Sequence, residues 1–300
     1  MCRFCGRSEP QTTFRKIAHV FPEALGNNVL ASNYECDICN QFFGSSIEND
    51  YAKFFSLYHT IMQIKGKRGI PDCKFKVPCS KRTDKCAEHC IEITFSSNPL
   101  MMRQCKEAGD DFITFSDHSI TISKPIGNFS PIGVFKAIVK MALTVMPVEE
   151  LPPFEHVIKW LLEPEHKKFS QKKLLVRYEM IPGFNVTKYI HYCLYKRKNF
   201  VWDKPYMLFH LTYGCFSLFI EIPRGADNID SREFESMPFP LVPFYISDTG
   251  IWDLSDDTAP KGMRNKITLN FDETREIYNA QESENKLSIE DLQKQFESLS

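Results

Sequence analysis

Two Cys-x2-Cys pairs, Cys2/Cys5 and Cys36/Cys39, stand 30 residues apart at the start of the chain. Two thiolates at that spacing grip one face of a tetrahedral zinc ion, and two such knuckles close a four-cysteine site. Chance rarely supplies two. The pattern constrains the fold because a segment this short buries too little apolar surface to stand without a metal. Zinc of this kind is structural in most proteins, and that role is expected here. The chain has 11 cysteines, an odd number. In a reducing compartment that argues for metal ligation and buried thiols over a disulfide framework.

The segment between the knuckles is dense in signals. Phe14–Ala18 alternates like a short strand and delivers His19 at its end. Pro22-Glu23-Ala24-Leu25-Gly26-Asn27 turns the chain, and Val29–Ala31 offers a second strand. Cys39-Asn40 begins a helix that continues, with a break expected at Gly44, through Ile47–Met62. Strand, loop, strand, knuckle and helix make a ββα-metal arrangement.

These residues resemble the HNH endonuclease superfamily. The likeness is greatest to bacterial proteins with Cys-x2-Cys, then (A/E)HxxPEALGN, then Cys-x2-Cys-Asn-x2-Phe-Gly. The counterparts here are Cys2/Cys5, Ala18 to Asn27 (AHVFPEALGN) and Cys36 to Gly44 (CDICNQFFG). The layout is also similar to that of phage endonuclease VII, where a four-cysteine zinc brackets the site. The resemblance covers roughly the first 65 residues and leaves the remaining 235 unidentified.

The resemblance implies hydrolysis of phosphodiester bonds in DNA, with His19 as general base on water and one divalent ion as Lewis acid and leaving-group stabiliser. Mg²⁺, Mn²⁺ or Ni²⁺ is the expected ion. Asn40, 21 residues beyond His19, matches the helix asparagine that ligates or orients it, and an amide carbonyl suits a hard cation. Ala18 departs from the family, in which an Asp, Glu or His often precedes the base as a metal ligand. Glu48, Glu23 and Asp50, in that order of preference, are the carboxylates that could be recruited instead, although each taken alone reads more readily as a cap or surface group. On an unbroken helix Glu48 would lie near the face of Asn40. Asn33 is a candidate for the module's middle asparagine, although asparagine is also common in turns.

Beyond Lys65 the signals thin out. Lys65–Pro71 reads as a linker. Cys73, Cys79, Cys86 and Cys90, with His89, are irregularly spaced and fit either a second zinc or buried thiols. Cys90–Phe95 and Asp111–Ser123 alternate like strands, and Pro131–Met146 reads as a mostly buried helix stopped by Pro147. A helix over Phe154–Leu162 follows, then strands over Lys173–Met180, Tyr189–Tyr195, Tyr206–Thr212 and Cys215–Ile222, with turn chemistry at Asn185 and Gly214. The fold class is therefore α+β: an HNH module over 1–66, a larger domain with a mainly antiparallel sheet over 67–270, and an acidic tail over 271–300 with one amphipathic stretch at Ile289–Leu299.

Charge is uneven although the net is −1. Residues 1–90 hold 13 Lys+Arg against 9 Asp+Glu, 136–204 hold 13 against 7, and 253–300 hold 6 against 11. Lys167-Lys168, Lys172-Lys173 and Lys196-Arg197-Lys198 can track a phosphate backbone or remain solvated. His118, His156, His166, His191 and His210 read as structural or surface histidines, and Cys105, Cys193 and Cys215 carry no nucleophile signature. No apolar run approaches the ~20 residues of a membrane span, and no signal-peptide core follows Met1, so a cytoplasmic protein is expected. DNA is the expected partner. A homodimer contact or a regulatory protein can dock on residues 67–300, and an anti-phage effector is the role that analogy suggests. The rival reading is a catalytically inactive, zinc-stabilised module that binds nucleic acid or docks a partner.

Overall fold

The computed structural model describes residues 1–27, 29–67, 69–71, 73–83, 86–94, 101–104, 113–116, 119–125, 129–167, 169, 173–180, 187–198, 205–224, 248–255 and 264–270, with the backbone course alone at 73–83, 86–94, 101–104, 113, 115, 120, 124–125, 187–188, 248, 264–267 and 269–270. In chain order the elements are β1 (Ala18–His19), β2 (Ala31–Ser32), α1 (Asp37–Ser45), α2 (Ile47–Phe54), α3 (Ser56–Ile61), β3 (Cys73–Thr83), β4 (Cys86–Thr94), β5 (Met101–Gln104), β6 (Ile113–Ser116) and β7 (Ser119–Pro125). They continue with α4 (Pro131–Val145), α5 (Glu155–Leu161), β8 (Leu175–Met180), β9 (Thr187–Lys196), β10 (Met207–Gly214), β11 (Phe216–Glu221), β12 (Asp248–Asp253) and β13 (Arg264–Asn270). The class is α+β, as expected, and every pairing among the described strands is antiparallel. No described helix is long and apolar enough to cross a membrane.

The chain packs as two compact units. One comprises Met1–Phe55, Ile64–Gly69 and Gly127–Lys261; the other comprises Ser56–Gln63, Ile70–Ile126 and Gly262–Ser300. The first contains the β1–β2 hairpin and a five-stranded sheet in the order β12-β8-β11-β10-β9. The second contains two three-stranded sheets, β3-β4-β5 and β13-β7-β6, together with α3.

In the first unit the sheet's inner face is apolar: Phe209, Leu211 and Tyr213 on β10, Phe216, Leu218 and Ile220 on β11, and Val176 and Met180 on β8 are all buried. Phe55 at the end of α2 meets Tyr213, Phe216 and Trp252 at ring-centroid distances of 6.3, 5.2 and 5.7 Å. The Tyr51 hydroxyl adds a 2.8 Å hydrogen bond to that of Tyr213. The helix expected over Pro131–Met146 forms as α4. Ser130 caps it by accepting from the Gly133 amide at 3.1 Å, with Pro131 at the first position, where its missing N–H costs nothing. Fourteen of its residues are buried, as an all-round apolar sequence requires.

The four strands expected between 173 and 222 form as β8 to β11, and Gly214 closes the β10–β11 hairpin at φ 53°. Other boundaries moved. The long helix after Cys39 is three helices, and Gly44 lies inside α1. The break falls at Ser46, whose hydroxyl donates to the Phe42 carbonyl at 2.7 Å and competes with the backbone ladder. The first strand is two residues because the amides of Arg15 and Lys16 go to the Asp37 carboxylate, not to a ladder. The second starts at Ala31 because Asn27 takes the amides of Val29 and Leu30. The Asp111–Ser123 alternation resolves into β6 and β7. The tail helix at Ile289–Leu299 lies outside the described residues.

Candidate active site beside a four-cysteine centre

The Sγ atoms of Cys2, Cys5, Cys36 and Cys39 all lie within 4.8 Å of one another. Cys2 and Cys39 are 3.8 Å apart, and Cys5 and Cys36 are 3.7 Å apart. A tetrahedral ion with bonds of about 2.3 Å sets its sulfurs about 3.8 Å apart, so the cage has the size zinc needs. The Cys39 contact holds the Cys2 thiol down to about 4, while the same contact and burial push Cys39 up. Among the described residues this is the only group of three or more His, Cys, Asp or Glu side chains spaced for a metal.

The knuckle also grips α4. Arg3, between Cys2 and Cys5, donates from Nη1 to the carbonyls of Leu143, Thr144 and Met146 at 2.6, 2.8 and 2.7 Å. These are terminal carbonyls that an ending helix leaves without partners. Asp37 starts α1, and its carboxylate takes the Arg15 and Lys16 amides and the Thr13 hydroxyl. Hydrogen bonds from Thr13 and Lys16 hold that carboxyl below its ordinary value.

His19 closes β1 opposite Ala31. Its Nε2 is 3.2 Å from Glu23 Oε1, and Lys67 approaches the other Glu23 oxygen at 3.6 Å. His19 Nδ1 is buried without a hydrogen-bond partner, so Nε2, facing Glu23, is the ring nitrogen that is engaged. Asn40, in the first turn of α1, donates from Nδ2 to the carbonyl of Ile17 at 3.2 Å. This contact ties the helix to the His19 strand and leaves the amide oxygen of Asn40 open as an acceptor. Ala18 is buried and offers no ligand.

The three carboxylates weighed as substitutes part company. Glu23 sits at His19. Glu48, on α2 beyond the Ser46 break, accepts from Lys140 at 2.9 Å. Asp50 is mostly buried, 3.6 Å from His166. Asn33 is exposed; the loop is instead stitched by Asn27. Asn27 is buried, donates to the carbonyls of Phe21 and Leu30 at 2.9 Å each, and accepts from the amides of Val29 and Leu30. Gly26 before it adopts φ 84°, which suits glycine. Sequence reasoning passed over Asn27, Arg3 and Lys140. Two lysines, Lys136 and Lys140, inside an apolar helix were the available signal for the last.

Elsewhere, the side chains of Cys73, Cys79, Cys86, Cys90 and His89 lie outside the described residues, as do His118, Cys105, Lys168 and Lys172. His156 and His191 are exposed, whereas His210 is buried and bonded to Ser217 and Thr212. Lys167 and Lys196 pair with Glu165 and Glu150, each at 2.6 Å. Cys193 is exposed and Cys215 buried. A recess of about 200 Å³ bounded by Phe14–Ala18, Ala31–Asn33 and Glu35 places Arg15 and Lys16 beside β1.

A ββα hairpin-and-helix bracketed by a four-cysteine cage, with histidine and asparagine tied to one strand, defines a ββα-metal domain. Residues 2–56 match the family model described as HNH endonuclease, and they form an HNH domain. No curated protein and no solved structure matches the chain significantly.

Proposed function

We propose that the protein is a metal-dependent DNA endonuclease with His19 as general base. The observation that carries this reading is the bond from Asn40 Nδ2 to the Ile17 carbonyl. It anchors the asparagine to the strand that presents His19, inside the span matched by the HNH family model.

His19 takes a proton from water through Nε2, since Nδ1 is sealed. The water oxygen bonds to phosphorus, the P–O3′ bond breaks and the 3′ oxygen leaves with a proton from solvent. For this the Glu23 carboxylate must give up Nε2, and it is then free beside the phosphate. Asn40 Oδ1, with Glu23 or Glu48, would hold a hydrated Mg²⁺, Mn²⁺ or Ni²⁺, which supplies charge neutralisation at the phosphate. Glu23 is the better placed of the two, because Lys140 already holds Glu48. Arg15 and Lys16 supply positive charge for the DNA backbone.

Within this reading residues 67–270 set DNA engagement, assembly or activation, and a cytoplasmic anti-phage effector is the biological role we favour. Ala18 supports one rival, a zinc-stabilised binding module without catalysis. Supercoiled plasmid incubated with EDTA, Mg²⁺, Mn²⁺ or Ni²⁺ separates them. We expect metal-dependent nicking that falls by about 10²–10⁴-fold in His19→Ala, the usual contribution of a general base. Retained zinc and DNA binding with no cleavage by wild type would establish the rival. Toxicity of the expressed protein, relieved by His19→Ala, tests the effector role.

A further inference from the structure

Lys140 lies in the middle of α4, far along the chain from the HNH match, with 1% of its surface exposed. Its Nζ meets three oxygens from three separate pieces of the HNH domain. It donates to the His19 carbonyl at 3.2 Å and to Glu48 Oε1 at 2.9 Å, and it lies 3.1 Å from Glu35 Oε2. The ammonium gives two of its hydrogens to the His19 carbonyl and Glu48, and Glu35 stands by as a buried counter-charge, as a desolvated ammonium requires. Desolvation works against the charge, but Glu48 and Glu35 outweigh it and hold the amine above its ordinary value.

The His19 carbonyl needs such a partner. β1 is two residues long and pairs only with the two residues of β2, so the ladder alone restrains the histidine weakly. Lys140 links that strand to α2 through Glu48, while Arg3 fixes the C-terminal end of the same helix to the zinc knuckle. α4 is therefore tied to the HNH domain at both the histidine and the metal cage.

We propose that Lys140 is a positioning residue of the nuclease, its Nζ fixing the His19 backbone so that the imidazole faces the attacking water. The catalytic unit then includes α4, and residues 2–56 are insufficient without it. This rests on the nuclease reading above.

The test uses the full chain and two variants. Lys140→Arg keeps the buried charge but replaces the single Nζ that bonds both the His19 carbonyl and Glu48 with a larger planar fork of different geometry. Glu35→Gln/Lys140→Met removes the ammonium together with one carboxylate it would orphan. Zinc content establishes folding, and whichever variant keeps its zinc is assayed for DNA affinity, kcat and the ¹⁵N ring signals of His19, assigned by their loss in His19→Ala. We expect DNA affinity within about threefold of wild type, shifted ring signals, and kcat lower by about 10²-fold, the scale of a 1 Å misplacement. Wild-type kcat in either zinc-replete variant overturns the proposal. If wild type cleaves nothing with any metal, the nuclease reading fails by itself. The His19 ring signals then decide on Lys140 alone: unshifted signals refute the positioning role, and shifted ones uphold it. If neither variant retains zinc, Lys140 is a folding residue and the positioning role is rejected.

Discussion

In residues 1–45 the strands are two residues long, and beside a small apolar set of Phe4, Phe21 and Phe43 the restraints are four thiols and single side chains bonded to backbone: Arg3, Asn27, Asp37 and Asn40. In the sheet and α4 of the same compact unit the strands run to ten residues, and the restraint is apolar burial. Both belong to one unit, yet they resist unfolding by different physics. A short segment buries little apolar surface, so it must lean on its thiol cage and on directional polar bonds as well. The sheet has no such obligation. Phe54 on α2 and Phe55, which caps it, carry the apolar half of that division into the HNH domain itself.

The largest effect should come from the metal. Structural zinc contributes about 10–16 kcal/mol in zinc-finger peptides, so Cys39→Ser or chelation should unfold residues 1–45. Hydrogen exchange read by mass spectrometry should show loss of protection there while β8, β10 and β11 keep theirs. Equal loss in both regions would break the comparison and show a single cooperative core.

Truncating the apolar side comes next. Phe55 is fully buried among Tyr51, Tyr213, Phe216 and Trp252, and Phe55→Ala should cost about 3–5 kcal/mol. That corresponds to a melting midpoint lower by about 10 °C, with zinc content unchanged below the transition. Loss of zinc at room temperature would mean that the aromatic cluster holds the knuckles as well.

The smallest effect depends on pH. Burial pushes His210 down from 6.5 to about 4. Its neutral form suits the folded state, so it contributes stability in full above pH 6.5, and that contribution is lost as pH falls from 6.5 towards 4. The loss is about 1.4 kcal/mol per pH unit, or about 3 kcal/mol across the window. Urea midpoints of wild type should therefore fall more steeply between pH 6.5 and 4 than those of His210→Gln. Zinc thiolates also protonate on acidification, but they are common to both proteins. Parallel curves would show that His210 is not held neutral.

Much of the site was legible as sequence because its chemistry is local. Cys-x2-Cys pairs, a histidine ending a short strand and an asparagine next to a zinc cysteine each act through neighbours a few residues away, and the family likeness rests on the same spacings. β8 to β11 and α4 were legible because alternation, a capping serine and a stopping proline are local as well. β3, β12 and β13 were not foreseen: β12, with the sequence DTGIWD, carries a central glycine and polar ends, and it gains strand geometry only by pairing with β8 along six residues.

What tertiary structure alone decided is which distant groups meet. Nothing in the order of residues announces that Lys140 would reach the carbonyl of His19 and the carboxylates of Glu35 and Glu48, or that Arg3 would cap α4. Glu48 is a free carboxylate in the sequence and an ion-pair partner in the fold. Glu23, less favoured from spacing, is the carboxylate that stands at the histidine. The sequence by itself determined the four-cysteine cage and the ββα segment, because short-range geometry and ligand spacing are written in consecutive residues. The partners of each charge were settled by burial, since an ammonium removed from water must find oxygens wherever the packing places them.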